Sequence, residues 1–327
     1  MAQSRFLKYS RAMRRLLPIT VALLVLAPVG TASAEPAPGQ MELEIDSGLT
    51  VKHKRYVMRR EKVVVVGTTS PFVSGQQAVV EIRRNGRVDR RIERPIRESG
   101  GEGRFVVEFK PRRNGLYAVA AQHEETDEQE AFRAEPEKLR VVSPHAGPGA
   151  HGDDVRLLHN GLRSLGFVAP SSSGFSDATR RAVIAFRKVN GMRRNGNATK
   201  PIYRKLLAGE GGFNLHYPGR GKHVEFDWSR QVLVLARGGR AQRIYHASSG
   251  KSSTPTVFGS FRFYRKDRGT NSHGMVHSSY FFRGYAIHGY KSVPTYPASH
   301  GCLRVPIPQA LSIFNWIDIG DRIFLYE

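Results

Sequence analysis

Through the first third of the chain, apolar and polar residues alternate in short runs at 63–66, 78–84, 87–92, 105–109, 116–121 and 139–142. A period of two is the mark of half-buried strands. Asn85-Gly86 and Asn114-Gly115 fall between successive runs, and Asn-Gly favours tight hairpin turns because both residues tolerate positive φ. The pattern predicts an all-β sandwich over 41–143, immunoglobulin-like in kind. Tyr117, entering a late strand, fits either an ordinary strand tyrosine or the one whose hydroxyl ties the corner of such sandwiches. No catalytic grouping shows in this segment, so it reads as a spacer or a binding platform.

The period then changes. Pro and Gly cluster over 143–151, which marks a boundary. After Asp153-Asp154, Val155, Leu158, Leu162 and Leu165 recur at helical spacing, with the acidic pair placed where it favours a helix N-terminus. A second helix is expected from Asp177, with Ala182, Val183, Phe186 and Val189 on one face and Gly191 ending it. A third begins near Thr199, with Pro201 in its first turn. Three short helices over 150–209 predict a small helix bundle. From residue 213 onward alternation returns at 223–228, 231–236, 242–247 and 260–264, and Arg237-Gly238-Gly239 turns one hairpin. A single helix is expected over 308–316 and a closing strand over 322–326. The third segment, 213–327, is therefore mainly β with one helix.

Composition adds a compartment and a partner class. Arg5, Lys8, Arg11, Arg14 and Arg15 precede an apolar run at 16–29 and the triplet Ala32-Ser33-Ala34. That arrangement predicts a secretory signal peptide over 1–34, with cleavage at the A-x-A site. The run is shorter than a bilayer requires, so no transmembrane anchor is expected after cleavage. Lys and Arg total 51 against 28 Asp and Glu. The excess is +3 over 41–143, +7 over 144–211 and +9 over 212–327. A basic surface on an exported chain suits an anionic wall polymer, whereas nucleic acid is the usual match only inside cells. The expected location is outside the cytoplasm: cell wall, periplasm or extracellular space.

Cys302 is the only cysteine in 327 residues and lies in "IHGYKSVPTYPASHGCLRVP", after His288 and His300. A thiol becomes a useful nucleophile when a base takes its proton, and histidine is the side chain suited to that near neutral pH. Gly301 allows close backbone approach, and the amides of Gly301 and Cys302 are placed to face an oxyanion. Acyl transfer through a thioester fits these residues. Three other readings stay open: a buried apolar cysteine, an intermolecular disulfide, and zinc held among His273, His277, His288, His300 and Cys302, whose spacing matches no closed structural site.

Two resemblances sharpen this picture. "DDVRLLHNGLRSLGF" and "GFSDATRRAVIAFRKVNGM" resemble the three-helix peptidoglycan-binding module. "SHGCLR" preceded by "AIHG", the run at 224–264 containing "SSGKSSTPTVFG", and "PQALSIFNWIDIGDRIFL" together resemble the L,D-transpeptidase catalytic domain of the YkuD type. That second resemblance implies Cys302 as nucleophile and His288 as its base, oriented by the Gly289 carbonyl. It implies the Gly301 and Cys302 amides as oxyanion hole, shaped by Ser299 and His300. Arg304 is implied as a structural or carboxylate-binding residue, with Tyr280, Phe282 and Tyr285 as pocket walls. No cofactor and no metal is implied. The implied partners are peptidoglycan stem peptides and the wall polymer, not nucleic acid. Cys302 would take an acyl group from a tetrapeptide stem, release D-alanine and pass the acyl group to an amine, giving 3-3 crosslinks. With water as acceptor the outcome is an L,D-carboxypeptidase; a chain that has lost activity would be a wall-binding protein. Val257, where the family usually has proline, and the short step from His288 to Cys302 bear on substrate preference.

Overall fold

A computed structural model describes residues 35–51 and 53–327; the expected signal peptide lies outside the described residues. The first part holds β1 (Gln40–Ile45), β2 (Leu49–Val51), β3 (Lys54–Met58), β4 (Val63–Ser70), β5 (Gln77–Arg84), β6 (Arg87–Pro95), β7 (Arg97–Ser99), β8 (Glu102–Phe109), β9 (Gly115–His123), β10 (Phe132–Arg133) and β11 (Glu137–Val142). One sheet runs β1-β4-β8-β7 and the other β2-β3-β11-β9-β5-β6, with β10 beside β9. The alternation read from the sequence is literal here. In β8 every second residue is buried, and Val65, Val107, Val80 and Val119 meet in one core between the two sheets.

The two Asn-Gly pairs differ in outcome. Asn85 and Gly86 both take positive φ (49° and 84°) and close the β5–β6 hairpin. Asn114-Gly115 was expected to do the same, but β8 and β9 belong to different sheets, so this turn carries the chain across the core. Tyr117 is buried, and its hydroxyl donates to the Arg113 carbonyl at 3.0 Å, the bond of the corner reading.

Helices α1 (Asp153–Ser164), α2 (Asp177–Val189) and α3 (Lys200–Leu207) follow. Ser176 and Thr179 cap α2 reciprocally, satisfying amides that the first turn leaves without partners. Their apolar faces do not form a core of their own. Leu158, Leu162, Phe186 and Tyr203 join Met58 and Val142 on one side and Val232, Val234 and Ile244 on the other. The helical segment is therefore packed between the two β-rich parts, rather than standing apart as the sequence suggested.

The C-terminal part contains β12 (His223–Asp227), β13 (Val232–Arg237), β14 (Arg240–His246), β15 (Gly259–Arg262), β16 (Arg265–Thr270), β17 (Val276–Phe282), β18 (Tyr285–Tyr290), β19 (Leu303–Pro306), α4 (Ile307–Trp316) and β20 (Arg322–Tyr326). A five-stranded sheet, β14-β13-β12-β20-β15, faces a four-stranded one, β16-β17-β18-β19. Between them lies a core of Phe226, Leu235, Phe263, Ile287 and Leu303, closed by α4. The part is mainly β with one helix, as expected. Among the described residues no helix is long and apolar enough to cross a membrane.

Glu225, fully buried in β12, fastens the segment that enters this part. It accepts from the amides of His216 (2.9 Å) and Tyr217 (2.8 Å), from the Tyr326 hydroxyl (2.6 Å) and from His223 Nε2 (3.1 Å). Burial raises its carboxyl, but the hydrogen bonds from His223, Tyr326 and the two amides outweigh it and bring the group below its ordinary 4.5. Because the folded value is the lower one, the stabilisation is complete above the unfolded value and is lost as pH falls through the folded one. Glu225→Gln keeps the shape and removes the charge. It is expected to cost about 1–3 kcal/mol at pH 7 and to flatten the acid limb of a stability-versus-pH curve, read by denaturant titration.

Candidate active site

Strands β18 and β19 run parallel, with Ile287 opposite Leu303 and His288 opposite Arg304. One step back in that register, Cys302 stands at the mouth of β19 opposite Ala286. Alternate residues of a strand share a face, so Ala286, His288, Cys302 and Arg304 line the same side of the pair. Residues fourteen apart in the chain are thus diagonal neighbours.

His288 is 3% exposed. Its Nδ1 hydrogen-bonds the Gly289 carbonyl at 3.0 Å, which fixes the ring and leaves Nε2 as the free nitrogen. Gly289 owes its lack of a side chain to α4: a Cβ there would come within 2.7 Å of Ala310 Cβ. Burial pushes His288 down to about 4, with Arg304 adding to the shift against the Gly289 bond. Burial likewise pushes the Cys302 thiol up from its ordinary 9.0, against the Ala286 amide and the Arg304 charge. Near neutral pH the resting pair is therefore neutral imidazole beside neutral thiol. The thiol donates weakly to the Gly284 carbonyl at 3.6 Å.

The loop before Cys302 is held by hydrogen bonds from the residues after β14. Ser249 O accepts from the amides of Ala298 (2.7 Å) and Ser299 (2.8 Å). Thr256 Oγ1 donates to Gly301 O at 2.7 Å, and Ser248 and Arg304 exchange backbone bonds at 3.0 and 2.8 Å. Ser299, 1% exposed, donates from Oγ to the Cys302 carbonyl at 2.6 Å and accepts from the Gly301 amide at 3.1 Å. The Gly301 amide, expected to face an oxyanion, is thus committed to Ser299. The Cys302 amide has no acceptor among the described residues and remains available. Gly301 adopts φ +116°, and a Cβ would lie 2.3 Å from the Tyr285 ring, so only glycine fits the turn.

The other expected site residues divide. His300 is exposed beside the nucleophile's loop. Arg304 lies over the Tyr290 ring at 4.2 Å and donates to Ala298 O at 3.3 Å. Tyr285 touches Gly301, whereas Phe282 packs on Phe261 at 4.9 Å at the edge of the core. Tyr280 is buried with Arg265 stacked on it at 4.0 Å. Of the histidines offered to zinc, His273 is exposed and His277 accepts from the Gly269 amide at 3.1 Å. Sequence reasoning passed over Ser248, Ser249 and Thr256, although they lie in the quoted "SSGKSSTPTVFG" run. It also passed over Lys188 and His246, whose roles depend on contacts between distant segments.

The L,D-transpeptidase catalytic domain model matches residues 221–325. Among solved structures, the L,D-transpeptidase from Xylanimonas cellulosilytica (residues 123–326) is 33% identical, covering 56% of this chain and 97% of that one, with a TM-score of 0.51. The chain belongs to the L,D-transpeptidase family. A second structure, an L,D-transpeptidase from Stackebrandtia nassauensis, is 18% identical over 56% of this chain and 95% of that one, with a TM-score of 0.36. No curated protein matches. The family match takes in β12 through β20, and so both sheets and the loop that carries Cys302.

Proposed function

We propose that this chain is an exported cysteine L,D-transpeptidase that forms 3-3 crosslinks between peptidoglycan stems. The observation that carries the reading is the β18–β19 register, which sets Cys302 and a buried, oriented His288 on one face. In this mechanism Cys302 Sγ attacks the carbonyl of the third, diamino-acid residue of a tetrapeptide stem, while His288 Nε2 takes the thiol proton. The Cys302 amide steadies the oxyanion. As the tetrahedral adduct collapses, His288 returns the proton to the leaving amine, D-alanine departs and a thioester remains. The side-chain amine of a second stem attacks the thioester, with His288 again taking and returning a proton, and an amide forms. Water in place of the amine gives L,D-carboxypeptidase products.

The remaining parts fit attachment to the wall. The two N-terminal sheets, with their Tyr117 corner bond, serve as an immunoglobulin-like spacer over 41–143. The helices over 150–209 correspond to a peptidoglycan-binding three-helix module, and the catalytic segment is 213–327. Export follows from the signal-like residues 1–34.

The test is intact mass of the reduced, folded protein after incubation with a carbapenem or a tetrapeptide stem, followed by peptide mapping. A single acyl adduct on the Cys302 peptide is expected. No adduct, or one mapped elsewhere, would sink the reading and favour a wall-binding protein. With stem and acceptor together, a 3-3 dimer in the products identifies the transpeptidase and a tripeptide alone the carboxypeptidase.

A further inference from the structure

A groove of about 590 Å³ lies between α2 and the segment after β18. Its lining includes Arg180 and Arg181 from α2, His246 at the end of β14, and Tyr290, Lys291 and Thr295. No aspartate or glutamate lines it. Arg180 pairs with Asp177 at 3.3 Å, both exposed, but Arg181 and Lys291 have no ion-pair partner among the described residues. Arg181 Nε is buried without a hydrogen-bond partner, and an orphaned buried donor of this kind costs stability until something satisfies it.

The groove is held rigidly. Lys188 Nζ donates to the carbonyls of Gln231 and Ala247 (2.9 Å each) and to His246 Nδ1 (2.8 Å). His246 Nε2 donates in turn to Val293 O at 2.9 Å. On the far side Arg194 donates to Thr295 O at 2.6 Å and Ser229 O at 2.8 Å. A site whose walls are fixed before binding loses little freedom when filled. Its position matters as much. Tyr290 stands two residues beyond His288 on the same face of β18, its ring edge-on to His288 at 5.7 Å and under Arg304 at 4.2 Å. A strand step of two residues is about 7 Å, so Tyr290, at the edge of the groove, stands about one such step beyond His288.

We propose that this groove binds a carboxylate-bearing peptide stem, with Arg181 and Lys291 as its anion contacts. The proposal rests on the peptidoglycan reading above. A guanidinium matches a carboxylate in fork geometry. Ile184, Val293 and the prolines 294, 306 and 308, which also line the groove, suit the short apolar side chains of a peptide better than a polyol phosphate. Proline has no amide to donate, which leaves the recognition of an anion in this wall to the side-chain cations.

Binding is best measured on Cys302→Ala, so that turnover plays no part. Calorimetry would compare a tetrapeptide stem with the same stem amidated at its carboxylates, on Cys302→Ala alone and with Arg181→Gln and Lys291→Gln added. Amidation and the double substitution are each expected to weaken Kd about 10- to 100-fold, the range of a charge-assisted bond or two. Combined, they should do little more than either alone. Equal affinity of both stems for unsubstituted groove residues would overturn the proposal even if the double substitution failed to fold. So would tighter binding of a polyglycerol phosphate probe, which would reassign the groove to wall phosphate. Carbapenem acylation of the wild type tests the catalytic reading separately. If the wild type itself is not acylated, the catalytic reading fails while the binding comparison still decides the groove.

Discussion

Acylation of Cys302 by a carbapenem is expected to slow about 10²- to 10⁴-fold at pH 7 when His288 becomes glutamine, the range that removal of a positioned base produces. The size follows from the resting state of the pair. Burial holds the thiol above its ordinary 9.0 and the imidazole down to about 4, so very little thiolate preexists at neutral pH. The reaction then depends on proton transfer as the sulfur attacks. Deleting His288 removes the only nitrogen base on that face of the β18–β19 pair. The pH profile carries the sharper test. In the wild type His288 stays neutral from about 4 upward, so acylation should be level across neutral pH and fall only as pH drops toward 4. In His288→Gln the rate should climb with pH through the thiol's own titration, above 9.0. Stopped-flow acylation between pH 4 and 10 measures both. A variant as fast as wild type at pH 7, or a wild-type rate that tracks thiolate formation, would show that His288 is not the base.

Much of this site was legible because its chemistry is concentrated in consecutive residues. "SHGCLR" and "AIHG" name the nucleophile, the histidine and the glycines, and the structure needs only one parallel strand pair to join them. The helices were equally plain, since 3.6-residue periodicity and local capping are properties of neighbouring residues. What the chain hid is non-local. β16 reads Arg-Lys-Asp-Arg-Gly-Thr, a sequence with no strand pattern, and it is extended because β17 pairs with it. Asn114-Gly115 carries the same turn signal as Asn85-Gly86, yet the strand that follows finds its partners in the other sheet. The Gly301 amide looked free until Ser299 Oγ was placed beneath it. Lys188 comes near the end of an amphipathic helix, and nothing within α2 indicates that His246 and two carbonyls wait 43 to 59 residues away.

That lysine gives the second large effect. Lys188→Met fills similar volume but leaves the carbonyls of Gln231 and Ala247 and His246 Nδ1 without their shared donor. Buried acceptors so orphaned cost about 1–3 kcal/mol each, less what is recovered by no longer burying an amine. Burial pushes Lys188 down to about 6, with the Arg194 charge adding to the shift. Burial first, and the nearness of Lys188 second, push His246 down to about 3, which keeps the ring neutral and its Nε2–H directed at Val293 O. A net loss of about 3 kcal/mol is expected, or roughly 6–12 °C in Tm for a chain of this size. The effect should not stop at stability. Gln231, whose carbonyl Lys188 holds, exchanges side-chain bonds of 2.8 Å with Ser249, and Ser249 holds the amides of Ala298 and Ser299 before the nucleophile. Loosening that line displaces Cys302 from His288, and a misplacement of about 1 Å can cost about 100-fold in rate. At a temperature where both proteins are fully folded, carbapenem acylation of Lys188→Met should therefore fall about 10- to 100-fold. Alkylation by a small haloacetamide at pH 10, which needs only an accessible thiolate, should change little. Equal losses in the two assays would mean that Lys188 serves stability alone; loss confined to acylation makes the helical segment part of the catalytic unit.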